Sequence, residues 1–353
     1  MTSTSSFVNA PAPVRLSDAS TFNGFYLRNN LASTGAVPAA SPYNQCPDII
    51  QSDVPIADPE ITLSSLASWQ TFYNTAPVAG ANYYYVRGLN GALTAFSGTA
   101  SLYWAPAQLI LFPSTWKNNP MTTAKGQESV NIAAPSGHIG VGSNAFVFQN
   151  RGQLDAGAES FYSFVVQNSA TPIPEISNWI EMSQLMTQQL SFGFRNTVSF
   201  DPASGEMLYR LGINIPFTIG QSATLQLTLT ATGFASDDTV GFIGDCFTPE
   251  MKAISLLPVK MGSGPYVAGI SINVDPGLSS SLAVQYWNTG NSLPAPGSTI
   301  TLSVNYVVPP EQVELALQMN VLDSQYSLQN AKARLSTQPQ PVVPVGAISF
   351  VVV

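Results

Sequence analysis

A chain of 353 residues can bury one large all-β core or two smaller ones, and 45% hydrophobic residues exclude general disorder. Charged residues make up only 9%, and the polar remainder is Ser, Thr, Asn and Gln with 27 Pro and 26 Gly, a mixture suited to short strands, turns and surfaces covered by neighbours. The formal charge of −8 excludes a chain that grips nucleic acid over its whole surface, while leaving room for one local basic face.

Cys46 and Cys246 are far apart and fit neither a metal spacing nor a disulfide framework, so a reducing compartment is expected. Met1 is followed by Thr-Ser-Thr-Ser-Ser, with no basic or apolar leader, and no Asn-x-Ser/Thr sequon occurs, so a secretory signal is not expected. Every apolar run is short, and no membrane insertion is expected.

Residues 1–58 show no sustained period and carry Pro11, Pro13, Gly24, Gly35, Pro38, Pro42 and Pro47, which predicts an extended N-terminal arm closed by Asp48, Asp53, Asp58 and Glu60. Residues 61–75 fit a strand entry or a short helix, since Leu63, Leu66 and Trp69 also recur every third position. Strands are expected at Tyr83–Val86, Ala92–Phe96, Ser101–Trp104 and Gln108–Phe112. Gly88-Leu89-Asn90-Gly91 is a candidate hairpin loop, because Asn-Gly supplies positive φ. Further strands are expected at Ser129–Ala133, Ala145–Gln149 and Ser160–Gln167. Residues Ile176–Leu190 form the best helix candidate.

The clearest pattern runs from Leu190 to Ala231. Leu190, Phe192, Phe194, Val198 and Phe200 alternate, then Met207 to Phe217, then Leu225 to Ala231, with turn residues between the runs. A period of two over three runs predicts adjacent strands of one sheet with one face buried. Its polar side carries Ser191, Arg195, Arg210, Asn214, Gln226 and Thr228, a face that, if the chain assembles, is expected to meet a neighbour. Ser236–Asp238 and Gly244–Cys246 read as a loop-rich region. Three more alternating strands follow, at Tyr266–Val274, Leu282–Tyr286 and Ile300–Val308, the last ended by Pro309-Pro310. Val313, Leu315, Leu317, Met319 and Val321 again alternate, although residues 311–322 also fit a helix. A proline-rich linker leads to Ile348–Val353, a β-forming end expected to pair with its own sheet or a neighbour's.

Motifs for chemistry are sparse. His138 is the only histidine, which rules out a two-histidine metal site, and no Gly-x-Ser-x-Gly elbow, P-loop or dinucleotide fingerprint is present; enzymatic activity is not expected. Asp237, Asp238 and Asp245 offer hard oxygens that suit a structural calcium ion, or else form a solvated acidic loop. The aromatic residues Tyr83–Tyr85, Trp104, Trp116 and Trp287 suit core or interface anchors, or a sugar-stacking platform.

At least eight amphipathic strands, an arm and a tail together suggest an all-β antiparallel sandwich. The segments Pro276–Asn288 and Gly297–Pro310 look like the last two strands of a jelly roll. In this style, over roughly residues 60–310, the sequence resembles the coat proteins of small non-enveloped icosahedral positive-strand RNA viruses, such as those infecting dinoflagellates. The resemblance implies an N-terminal arm (1–58), an eight-stranded jelly-roll shell domain (59–310) and a C-terminal tail (311–353). It also implies many identical subunits assembled in the host-cell interior into a virion that encloses an RNA genome and meets a host-cell receptor. Such proteins carry a basic arm, whereas here the first eighty residues hold only Arg15 and Arg28 as candidates for nucleic-acid contact. Cargo charge would then be balanced by cations, polyamines or a scattered inner basic face. The alternative reading is a receptor- or carbohydrate-binding sandwich of the fibre or adhesin type.

Overall fold

The short, alternating apolar runs build strands throughout a computed structural model that describes residues 20–73, 80–150, 162–169, 171–247, 253–261, 266–289, 292–322 and 340–353. The protein is an all-β sandwich of several antiparallel sheets packed together. The first half contains strands β1 (Ser20–Thr21), β2 (Phe25–Tyr26), β3 (Ala36–Val37), β4 (Ile49–Ser52), β5 (Gly80–Asn90) and β6 (Phe96–Pro106). After these come β7 (Thr122–Thr123), β8 (Val130–Ala134), β9 (Ile139–Val141), β10 (Phe146–Asn150), β11 (Tyr162–Asn168) and β12 (Phe192–Arg195). One sheet runs β2-β5-β10-β7, with β4 and β9 also on β5; the other runs β12-β11-β6-β8. They enclose a core that includes Phe25, Leu27, Cys46, Tyr84, Leu102, Ile132 and Phe146.

This arrangement corrects three expectations. Residues 20–58 are not an arm lying outside the fold: Phe25, Leu27, Cys46, Ile49 and Ile50 are all buried in it. Their apolar residues are irregularly spaced because the segment makes only short pairings, so no period betrays it. Gly88–Asn90 is not a hairpin loop but the end of strand β5, and the connection after it crosses to β6 in a different sheet. Gln108–Phe112 contributes only an isolated parallel bridge, from Gln108 to Gly212.

The second half contains β13 (Thr197–Phe200), β14 (Glu206–Asn214), β15 (Ala223–Thr232), β16 (Thr239–Phe247), β17 (Ala253–Lys260), β18 (Tyr266–Val274), β19 (Ser279–Trp287), β20 (Thr299–Val307) and β21 (Val342–Val352). Sheet order is β13-β21-β20-β15-β18 facing β14-β19-β16-β17. Inward residues such as Tyr209, Leu227, Phe242, Val284 and Leu302 fill the space between the two sheets. The three runs of the Leu190–Ala231 stretch are strands, as their period predicts, but they do not lie side by side. β14 belongs to the sheet opposite β13 and β15. The turn at Asp201–Gly205 makes that crossing: Asp201 Oδ1 accepts from the Ala203 N–H at 2.8 Å, and Gly205 takes φ 77°. Gly244–Cys246 lies in strand β16, not in a loop.

Among the described residues, five short helices cover the remaining edges: α1 (Pro59–Leu63), α2 (Leu66–Trp69), α3 (Pro113–Trp116), α4 (Trp179–Gln188) and α5 (Val313–Gln318). Asn178 caps α4 by accepting from the Glu181 N–H at 2.9 Å, while the Glu181 carboxylate accepts from the Ser177 N–H at 2.8 Å. The buried side of α4, including Trp179, Ile180, Met182 and Met186, packs over β21 and closes the larger core. In α5 the buried residues are Val313 and Ala316, three apart, so the helical alternative holds there and the period-two reading does not.

Strand β21 is the piece that joins the halves. It pairs antiparallel with β20 and parallel with β13. Asn44 Nδ2 and Gln45 Nε2 each reach Ser349 Oγ at 3.0 Å, and Asn196 Nδ2 donates to the carbonyls of Gln108 and Ala347 at 2.7 Å each. Gly346 passes so close to the Leu109 carbonyl and Ile110 that a Cβ there would collide with backbone. The terminal strand therefore pairs with its own sheet.

Candidate functional site

Arg28 was the described candidate for nucleic-acid contact, and its position corrects that expectation. Only 1% of it is exposed, held by β2's continuation under α2. Its Nη2 meets Asp48 Oδ1 at 2.6 Å, its backbone N–H meets Asp48 Oδ2 at 2.8 Å, and Nη1 donates to the Trp69 carbonyl at 2.8 Å. The guanidinium carbon stands 3.3 Å from the Trp69 ring centroid. A neutral stretch of chain cannot solvate such a charge, so the fold brings Asp48 to it. Arg15 lies outside the described residues.

Two further arginines join this buried cluster. Arg87 Nε reaches the same Asp48 oxygen at 3.2 Å, Nη1 donates to Ser68 Oγ at 2.7 Å, and Nη2 donates to the Pro47 and Thr71 carbonyls. Burial, the largest influence, pulls the Arg87 pKa below its ordinary value, while Asp48 opposes the shift. Arg195, on β12, donates to the carbonyls of Ile49 and Tyr73 at 2.5 Å each and lies over the Phe72 ring; burial lowers its pKa as well. Nearby, burial pushes the Cys46 thiol up to about 12, with Asp48 adding to the shift. The three cations hold the segments 44–50 and 63–73 against the first sandwich. They do so as internal fasteners and present no charge to solvent.

The three acids offered for calcium are not brought together. Asp238 is fully buried and accepts from the Ala235 N–H at 3.2 Å, the Tyr286 hydroxyl at 3.1 Å and the Thr289 N–H at 3.2 Å. Asp237 is exposed and meets Lys260 Nζ at 3.3 Å. Asp245 lies seven residues along β16 from Asp238, a separation of about 20 Å in an extended strand, where a shared cation needs ligands within about 2.6 Å of itself. The Asp245 side chain is outside those described. Among the described residues no group of three metal-binding side chains occurs.

The polar side of the Leu190–Ala231 stretch is likewise dispersed. Ser191 and Arg195 are buried inside the protein, and Asn214 donates to Gln108 Oε1 at 2.7 Å. Gln226 and Thr228 lie on the outer face of one sheet, whereas Arg210 lies on the outer face of the opposite sheet. Tyr84, Tyr85 and Trp116 are buried, and Trp104 packs edge-on to Phe148 at 5.7 Å, so these aromatics anchor the core.

Sequence reasoning missed the surfaces with the most to offer. On the outside of β14-β19-β16-β17, Leu208 is 53% exposed, Ile243 50% and Leu257 65%. Leu208 was legible as an apolar residue at an outward position of an alternating strand, between Glu206 and Arg210. Leu257 and Pro258 were not, because β17 itself went unread. Two surface depressions lie among the described residues. One of about 360 Å³ is bordered by Gln221, Thr224, Tyr306 and Gln312, and one of about 640 Å³ by Glu60, Ser97, Asn131 and Ser143.

No protein-family model and no curated protein matches the sequence. Solved structures that it matches include a chain in the combined structure of manganese lipoxygenase of Gaeumannomyces graminis and partial zonadhesin of Komagataella pastoris, at 9% identity over 77% of this chain and 91% of that one, TM-score 0.20. Infectious bursal disease virus Gx strain matches at 11% identity over 64% and 57%, TM-score 0.15. A mutant VP2 protein of infectious bursal disease virus, in T=1 particles, matches at 8% over 61% and 68%, TM-score 0.13. At these TM-scores the likenesses carry no argument for fold or function.

Proposed function

We propose that the protein is a coat protein whose copies assemble into an icosahedral shell around an RNA genome. The observation that carries this reading is the strand order between Thr197 and Val307. Counting β13 to β20 as one to eight, strands two and seven pair, as do three and six, and four and five. Strands one and eight flank β21, which pairs with both. A long antiparallel ribbon wound on itself gives this nesting, which supports the jelly-roll plan used by capsid proteins, lectins and cupins, here with β21 inserted between the first and eighth strands. The segments that resemble the last two strands of a coat-protein jelly roll are β19 and β20, the seventh and eighth of this series. On this reading the wound ribbon spans residues 197–307, within the 59–310 expected from sequence, and the strands before it form a second body.

Among uses of this plan, assembly suits the surface. The interior between the sheets is filled by apolar side chains, and the outward positions of β15 and β20 carry Gln, Thr, Ser and Asn without a charge. Neutral polar faces need only hydrogen-bond partners on being covered, a lighter demand than burying charge. Light scattering and electron microscopy of the purified full chain test the proposal. Closed particles of megadalton scale are expected. A protein that stays monomeric or forms only small oligomers at high concentration would overturn it, and would favour a receptor- or carbohydrate-binding sandwich.

A further inference from the structure

We propose that the outer face of the β14-β19-β16-β17 sheet is a homotypic interface, pairing with the same face of a second copy about a two-fold axis near Leu208. The proposal rests on the coat-protein reading and deepens it by naming one subunit contact. Register fixes which side chains share this face. Leu208 lies opposite Gln285, which lies opposite Gly241; Arg210 lies opposite Ala283, which lies opposite Ile243. Leu257 follows the inward Leu256 on β17 and so points outward with them. Leu208 on one side and Ile243 with Leu257 on the other form two apolar ridges. Gly241 and Ala283, both buried, floor the trough between them.

Single exposed apolar residues are ordinary, but several on one sheet face mark a contact surface. The opposite outer face makes the contrast. There Thr224, Gln226, Thr228 and Thr230 on β15 stand beside Thr301 and Ser303 on β20, and Val267 on β18, 40% exposed, is a lone apolar side chain among them. The second copy is the occupant that charge favours. A chain with net charge −8 repels itself over most of its surface, so copies meet best where the local balance is even. On this face Glu206 and Arg210 flank Leu208 at two residues each way, about 7 Å along the strand. A two-fold axis through Leu208 sets each Glu206 near the other copy's Arg210, as a self-complementary contact requires. Four strands and four outward rows cover roughly 500 Å² per copy, so about 1,000 Å² in total, the lower bound for a specific interface.

The test places one cysteine on each outer face of the full chain, Leu208→Cys or Thr228→Cys, followed by mild oxidation and a non-reducing gel, with the unaltered protein as background. Most of the Leu208→Cys chains should become covalent dimers, whereas Thr228→Cys should stay at background, because a neighbour that covers the β15 and β20 face meets Thr228 with different residues and only a two-fold contact sets a residue against its own copy. A dimer from Thr228→Cys alone, or from neither, overturns the interface. In parallel, Leu208→Asp combined with Leu257→Asp should abolish particles while leaving the melting temperature within a few degrees. Particles formed as well as by the unaltered chain overturn the interface and leave the coat reading intact. A cross-linked Leu208→Cys dimer from a protein that never forms shells does the opposite, keeping the interface and removing the coat reading.

Discussion

The Asp48 carboxylate has more resting on it than any other side chain of the first sandwich. It is fully buried, yet it faces two guanidinium groups, from Arg28 and Arg87, and also holds the Arg28 backbone N–H. A buried pair adds little net stability over a well-packed apolar substitute, but removing one partner strands the other charge in a medium that cannot solvate it. Asp48→Ala strands two. The expected loss is about 3–5 kcal/mol in denaturant unfolding, at the scale measured for broken buried pairs. A loss below about 1 kcal/mol would mean that water reaches the arginines, against their exposure of at most 1%. None of this was legible in sequence. Arg28 and Asp48 are twenty residues apart and Arg87 a further thirty-nine, and no local pattern ties residues that meet only through tertiary packing. An arginine in a weakly charged segment reads as a surface contact until the fold supplies its carboxylate.

At the scale of elements, legibility followed the hydrophobic period. β12 to β15, β18 to β20 and α4 were readable because each buries one side of a regular strand or helix, and periodicity reports that burial directly. It reports nothing about which sheet receives a strand. β14 therefore looked adjacent to β13 and β15, and the winding of the ribbon stayed hidden. It also says nothing of a second covered face on a strand it does reveal. Phe192 and Phe194 face the large core while Gly193 between them closes on Cys46, so all of β12 is buried. The strand with the greatest consequence is β21. Its apolar character was plain, but its wedge between the first and eighth strands of the ribbon was not. Phe350 is fully buried there, edge-on to Tyr209 at 5.0 Å. Phe350→Ala should cost about 3–5 kcal/mol, the range for a large aromatic removed from a core, while the outward Val351→Ala should change stability by about 0.5 kcal/mol or less. Paired urea titrations decide the matter; equal effects would show that β21 lies on the sandwich without being built into it.

For the whole molecule, burial sharpens the charge problem that the composition raised. Three of the twelve basic residues, Arg28, Arg87 and Arg195, and two of the twenty acidic ones, Asp48 and Asp238, are taken into the interior. Among the described residues the interior thus takes up one net positive charge. The described cations left at the surface are Lys117, Lys125, Arg210 and Lys260. They lie on α3's end, the loop after β7, β14 and β17, too dispersed to make one basic face. Among the described residues the scattered inner basic face is thus no more than four charges, one of them already beside Asp237. A single-stranded RNA loses affinity with salt at a slope of about −0.7 for each phosphate neutralised, so four contacts give a slope no steeper than about −3. Titrating RNA against the full chain across a range of salt measures this. A shallow slope, with binding strengthened by added polyamine or magnesium, is the expected outcome, since mobile cations must then carry most of the neutralisation. A slope steeper than about −5 would place a basic surface in segments beyond the described residues and overturn the expectation that, if the protein encloses RNA as proposed, mobile cations balance most of its charge.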